Sequence, residues 1–187
     1  MTRYIALLRG VNVGGNNKIS MPELKSAFVK HGFVNVITYI NSGNILFDSD
    51  LSETDVKITC EKLIKSSFGL NIIVCIIAAD ELRDALTHAP EWWGSDPEAK
   101  HNVLFVIPPM TAMEVCKLVG EVKPEYEKVD CYGKVIFWSA PLATFSHTRW
   151  SKIVKNKAAY NAVTIRNANT TRKLAELMMG NIALKIE

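Results

Sequence analysis

The sequence predicts an α+β fold made of two ferredoxin-like halves (alpha-beta plaits, βαββαβ) packed into one compact unit. Three observations lead there. Short apolar strands alternate with amphipathic helices; the first four strands and two helices follow the order of a split βαβ unit; and the same order returns after about residue 100. Residues 1–78 make the first half, 79–100 a connecting helix and tryptophan-containing linker, and 101–187 the second half with a C-terminal helix. The halves share no convincing residue-level identity, so the duplication rests on element order alone.

Tyr4 to Leu8 reads as the first strand. Ser20 opens a helix reaching about His31, with Glu23 completing an S-x-x-E capping box, Leu24, Ala27 and Phe28 on one face, and Gly32 as the stop. Strands at about Val36 to Ile40 and Ile45 to Phe47 flank Asn41-Ser-Gly-Asn44, a hairpin signal because glycine and asparagine accept positive φ. Ser52 and Asp55 cap the next helix, which aligns Val56, Cys60, Leu63 and Ile64 and ends at Gly69. Ile72 to Ile77 is an unbroken apolar run, which argues for a strand covered on both faces by the other half or by another subunit. Such cover speaks against an open sheet that displays aromatics to RNA, and Gly133 to Trp138 resembles such a strand only vaguely.

A helix near Asp80 to Ala89 leads into Pro90-Glu-Trp-Trp-Gly94, whose tryptophans read as glue between the halves, with a ligand lid or a subunit contact as the alternatives. A strand at Val103 to Ile107 precedes a helix from Thr111, boxed by Glu114, with Val115, Leu118 and Val119 on its apolar side. Strands around Val129 to Cys131 and Lys134 to Trp138 turn at Tyr132-Gly133. A helix then carries Trp150, Ile153 and Val154, and Val163 to Ile165 is a short strand. The last helix, about Thr170 to Met179, is capped by Asn169 or Thr170 and ends at Gly180.

With 48% hydrophobic residues and a net charge of only +3, the chain is neither disordered nor a polyelectrolyte. It starts directly with a strand, and no apolar run approaches the roughly 20 residues that span a bilayer, so the expectation is a reducing cytoplasm and no membrane partner. Cys60 and Cys75 fall on apolar faces and read as buried, reduced thiols. Cys116 and Cys131 stand far from them and from each other, without a CxxC pair or suitable histidine spacing. His31, His88, His101 and His147 are scattered, so neither metal nor cofactor is expected.

The densest functional signal is Arg9-Gly-Val-Asn-Val-Gly-Gly-Asn-Asn-Lys-Ile-Ser20. Backbone amides freed by Gly14 and Gly15, beside a helix N-terminus and between Arg9 and Lys18, are suited to holding a phosphate or carboxylate. It is not a Walker A loop, because Gly15 is followed by Asn16 and the lysine is displaced to position 18. The equivalent connection in the second half needs only Pro108 to Thr111, so the fold does not demand the extra length; packing across the partner half is the plain alternative to a ligand role. Asn41, Ser42 and Asn44 form a second candidate, explained equally by hairpin geometry.

The third is a basic run, Arg149, Lys152, Lys155, Lys157, Arg166, Arg172 and Lys173. Residues 147–187 carry a net +6 and residues 1–20 a net +3, which leaves the middle of the chain at −6. That asymmetry favours an anionic ligand if the two basic ends meet, and otherwise marks an ordinary solvated face. Ser42, or Ser146 beside His147, has neither a nucleophile elbow nor a local base.

Ala6-Leu-Leu-Arg-Gly-Val-Asn-Val-Gly-Gly15, Lys18-Ile-Ser-Met-Pro-Glu-Leu24, Thr38-Tyr-Ile-Asn-Ser-Gly-Asn44, and then Arg166-Asn167, Asn169-Thr170 and Lys173-Leu174 together resemble the DUF1697 family of bacterial proteins over nearly the full length. The resemblance implies two ferredoxin-like subdomains and no established activity. The chain departs from the family at Ala168, where members often carry tryptophan. The leading functional expectation is a binder of a small anionic ligand, such as a nucleotide. Arg9, Asn12, Gly14, Gly15, Lys18, Asn41, Ser42 and Asn44 would hold it from the first half, and Arg166, Asn167 and Arg172 from the second. A nucleic-acid-binding module using the basic C-terminal surface and a structural homo-oligomer are the alternatives; nothing in the sequence identifies a reaction.

Overall fold

The computed structural model describes residues 1–179 and divides into two compact units, Met1–Leu82 with residues 175–179, and Arg83–Leu174. In the first, β1 (Thr2–Leu8), α1 (Met21–Lys30), β2 (Val34–Tyr39), β3 (Asn44–Ser49), α2 (Glu53–Phe68) and β4 (Val74–Ala78) follow one another. The strands form an antiparallel sheet in the order β2-β3-β1-β4. Local signals set the helix ends. The Ser20 hydroxyl accepts from the Glu23 amide and the Ser52 hydroxyl from the Asp55 amide, while Gly69 takes the left-handed conformation that closes α2. Ala6, Leu8, Phe28, Phe47, Cys60 and Leu63 pack into one core between sheet and helices, with the Phe33 and Phe47 rings 4.5 Å apart. Ile5, Leu7 and Ile77 alternate with core-facing neighbours and are buried too, so strand residues 74–77 are covered on both faces as the apolar run predicts.

Edge strand β2 carries an irregularity. Val34 pairs with Asp48 and Ile37 with Leu46, leaving one extra residue on the β2 side, and Asn35 there has φ +51°. Arg3 donates to the Asn35 carbonyl at 2.8 Å and pairs with Asp48 at 3.1 Å.

After α3 (Ala79–Thr87), the second unit contains β5 (Ala99–Val106), α4 (Ala112–Val119), β6 (Lys128–Tyr132), β7 (Val135–Pro141), α5 (Lys157–Asn161) and β8 (Val163–Asn167), and α6 (Ala168–Met179) starts in it. Its antiparallel sheet runs β6-β7-β5-β8. Leu104, Val115, Ile136, Trp138 and Trp150 fill its core. Phe137 and Trp138 are 1% and 4% exposed, so this sheet shows no aromatic platform to a nucleobase.

The expected helix carrying Trp150, Ile153 and Val154 is a 3-10 helix, Trp150–Lys155, preceded by another over Leu142–His147. Thr148 and Ser151 exchange side-chain hydrogen bonds with each other's backbone, and the buried Glu127 carboxylate takes the Arg149 and Trp150 amides, so these groups are satisfied without an α-helical ladder. The cap of α6 is Asn167, whose side chain accepts from the Thr170 amide at 2.8 Å, in place of Asn169 or Thr170. The expected stop at Gly180 lies outside the described residues. No described helix is long and apolar enough to cross a membrane.

Candidate functional site

In the first unit the glycine loop folds back on itself as a reverse turn. Asn16 donates to the Val13 carbonyl at 3.1 Å and the Asn12 amide to the Asn17 carbonyl at 3.2 Å. Gly14 and Gly15 supply φ of +58° and +81°, yet a Cβ on either would meet nothing within 4 Å. These glycines serve the turn itself, and no neighbouring protein group needs their lack of a side chain. Helix α1 offers little help to an anion: the Glu23 amide is taken by Ser20, and Pro22 has no N–H. The loop keeps the exposed Gly14 and Gly15 backbone, with Lys18 exposed and Arg9 half-buried.

Asn12 joins the loop to the hairpin turn. Its Nδ2 donates to the carbonyls of Ile19 (3.0 Å) and Asn41 (2.8 Å), and its Oδ1 accepts from the Ile19 amide (2.9 Å). Two sequence candidates are thus one structure, but their side chains hold it together: Asn44 is fully buried, and its amide donates to the Tyr39 carbonyl and the Ser42 hydroxyl. Strain collects at the same place. Ile40, 48% exposed, has φ +45°, a left-handed conformation costing a β-branched residue roughly 1–2 kcal/mol. Asn12→Ala is expected to lower stability by about 2 kcal/mol, since one side chain satisfies three backbone groups. Urea unfolding checks this, and a loss below about 0.5 kcal/mol would mean the loop does not depend on its brace.

In the second unit the basic run separates by what its side chains touch. Arg166 turns inward, 7% exposed, and its Nη1 donates to the Thr164 hydroxyl and the Ile165 carbonyl. Arg172 lies over the Trp93 ring, 5.0 Å from ring centroid to guanidinium carbon, donates to the Trp93 carbonyl and closes against Gly94. Asn167 is the helix cap described above. Trp93 itself is buried, donating to the Asn102 carbonyl and meeting Phe137 edge-on. Arg166, Asn167 and Arg172 thus all have structural work within this unit.

Arg149, Lys152, Lys155 and Lys157 behave differently. All four are exposed and line an open groove of about 700 Å³ together with Lys123, which comes from the connection between α4 and β6. Leu118, Val119 and Ile153 supply an apolar floor, and none of the lining side chains is acidic. Glu127 sits beneath, 3% exposed, its carboxylate accepting from the amides of Arg149 (2.9 Å), Trp150 (3.2 Å) and Lys123 (3.4 Å). Asn156 donates to the Leu118 carbonyl at 2.7 Å, and Lys123 to the His147 carbonyl at 3.2 Å. These bonds hold three chain segments around the groove. Lys123 and Glu127 carry no sequence signal, because only the fold brings them to residues some 25 positions away.

A second groove in this unit, about 720 Å³, is lined by Asp96, Lys100, His101, Asn102, Asn167 and their neighbours. His101 and Ser139 are cross-strand partners whose Nδ1 and Oγ are in hydrogen-bond contact, and Nε2 lies 2.7 Å from the Asp96 carbonyl. A carbonyl can only accept, so Nε2 carries the proton and Nδ1 accepts from the serine. That is the orientation of an activated hydroxyl, but Ser139 is 6% exposed and does not line the groove. The pair braces β5 against β7. Among the described residues no three His, Cys, Asp or Glu side chains gather as metal ligands.

Mixed α+β architecture with two four-stranded antiparallel sheets and a basic groove defines the class of protein. The chain belongs to the DUF1697 family, described as proteins of unknown function, with the match spanning residues 1–137. No curated protein matches it. Among solved structures it is similar to a conserved bacterial protein from Streptococcus pneumoniae, at 31% identity and a TM-score of 0.83, over 95% of this chain and 98% of that one.

Proposed function

We propose that this protein binds phosphate-bearing polyanions through the basic groove of its second unit, as a sequence-independent reader of a nucleic-acid backbone. One observation carries the reading: five cations, Lys123 and four within residues 149–157, surround one open groove with no acidic lining residue. Such a surface gains affinity by releasing counterions from phosphates, while the apolar floor and the absence of an aromatic lining give it no means of stacking or reading bases. Each unit, with its outer-to-inner sheet order, is in keeping with a ferredoxin-like plait, the second crossover of the second unit being cut down to 3-10 turns and a five-residue helix. We place its work in a reducing cytoplasm, in accord with four cysteines that stand as thiols and not as disulfides.

Fluorescence anisotropy with short labelled single strands tests the reading. Binding should weaken between about 50 and 200 mM salt with a log–log slope of roughly −2 to −3.5, as expected for three to five neutralised phosphates. Lys152→Glu combined with Lys155→Glu should weaken it at least 10-fold and flatten the slope by about 1.4. Salt-insensitive binding, or none, sinks the proposal.

A second reading keeps a small anionic ligand at the glycine loop. The strained Ile40 and Asn12, joined at one loop–turn contact, favour it, since strain gathers at working sites. In the same titration, mononucleotide binding lost in Arg9→Ala or Lys18→Ala but kept in the groove variant would transfer the function to the loop.

A further inference from the structure

Cys116 on α4 and Cys131 on edge strand β6, 15 residues apart in sequence, place their sulfurs 3.1 Å from each other. Cys116 is partly exposed and Cys131 exposed, whereas Cys60 and Cys75 are buried at 0% and 2%. A disulfide needs its sulfurs about 2.05 Å apart, so the pair must close by only about 1 Å, less than a side-chain rotation supplies. The two sulfurs are also unequal. The Cys131 thiol, donating to Cys116, draws the Cys116 thiol below its ordinary range, and the same hydrogen bond raises Cys131. Burial pushes the Cys60 thiol up and makes it inert.

We propose that Cys116 and Cys131 form a reactive dithiol that exchanges with small-molecule disulfides of the glutathione class and closes to an intramolecular disulfide tying α4 to β6. Cys116 releases its proton to solvent, and its thiolate attacks one sulfur of the small disulfide. A mixed disulfide forms, and one small thiolate leaves and takes up a proton. Cys131 then loses its proton, attacks the Cys116 sulfur and expels the second small thiolate, which is protonated in turn. Two protein thiols are oxidised by two electrons, and the small disulfide is reduced to two thiols. The exchange is independent of the anion-binding reading.

The test equilibrates the full-length protein in glutathione buffers of graded oxidised-to-reduced ratio, quenches with acid, alkylates and maps the peptides. The expected result is a single two-electron transition to a Cys116–Cys131 cross-link, with Cys60 and Cys75 alkylated throughout. Cys131→Ser should accumulate glutathione on Cys116, because the resolving sulfur is gone, and Cys116→Ser should react far more slowly at Cys131. Absence of the cross-link at every ratio, or glutathione added to both cysteines of the unmodified chain without closure, overturns the proposal; the wild-type titration decides it even if a serine variant fails to fold.

Discussion

Gly43→Ala is expected to be among the most damaging single-atom-group additions in the chain, lowering stability by about 2–4 kcal/mol. A Cβ at this position would lie 2.7 Å from Leu8 Cβ and overlap Val11 Cγ2, on a backbone with φ +71°. Leu8 and Val11 are 0% and 1% exposed and have no room to retreat. The Leu8 amide also donates to the Gly43 carbonyl at 2.8 Å, so a shifted turn would break the seam between β1 and the hairpin. Gly14→Ala is the control. It shares the positive φ, meets nothing within 4 Å, and should cost only about 1 kcal/mol. Equal urea midpoints for the two variants would show that conformation, not contact, sets the loss.

Glu127→Ala should cost about 3–5 kcal/mol and weaken polyanion binding, against the direction its charge predicts. Removing an acid beside a basic groove would, on charge alone, strengthen anion binding. The carboxylate, however, holds the amides of Lys123, Arg149 and Trp150, and Trp150 is 1% exposed in the core. Loss of those anchors strands three amides and frees two groove cations from their positions. Glu127→Gln, which keeps an oxygen acceptor but turns an N–H₂ toward donors, should fall between alanine and wild type. Chemical unfolding and anisotropy together check this; an alanine variant of unchanged stability that binds more tightly would remove Glu127 from the framework of the groove.

Where structure depends on neighbours in sequence, the residues declare it. Ser20, Ser52 and Thr111 cap helices with their own third-next residues, Gly69 ends α2 in the left-handed conformation, and the predicted turn forms one residue early, over residues 40–43, with Asn44 already paired to Tyr39. The kind of helix that Trp150 and Ile153 join is not declared locally. Trp150 and Ile153 are spaced three apart, which suits an α-helix or a 3-10 turn equally, and the decision falls to Glu127, 23 residues before Trp150. In Asn167-Ala-Asn-Thr170 several residues can cap, and the end of β8 picks Asn167. Charge alone could not separate Arg166 and Arg172 from Lys152 and Lys155; their contacts do, since Arg166 is buried, the exposed Arg172 lies over Trp93, and the two lysines line the groove. The nearness of Cys116 and Cys131 follows from helix α4 packing beside an edge strand, for which no local pattern exists.

The extra residue in β2 bears on how copies of this protein can meet. An outer strand offers its unpaired amides and carbonyls as a template to any extended chain, and a regular one invites another copy to lengthen the sheet. At Asn35 the backbone swings to φ +51° and its carbonyl is already engaged by Arg3, so an incoming strand would lose step within a few residues. The regular template that a neighbouring copy would need in order to lengthen the sheet is interrupted along this border.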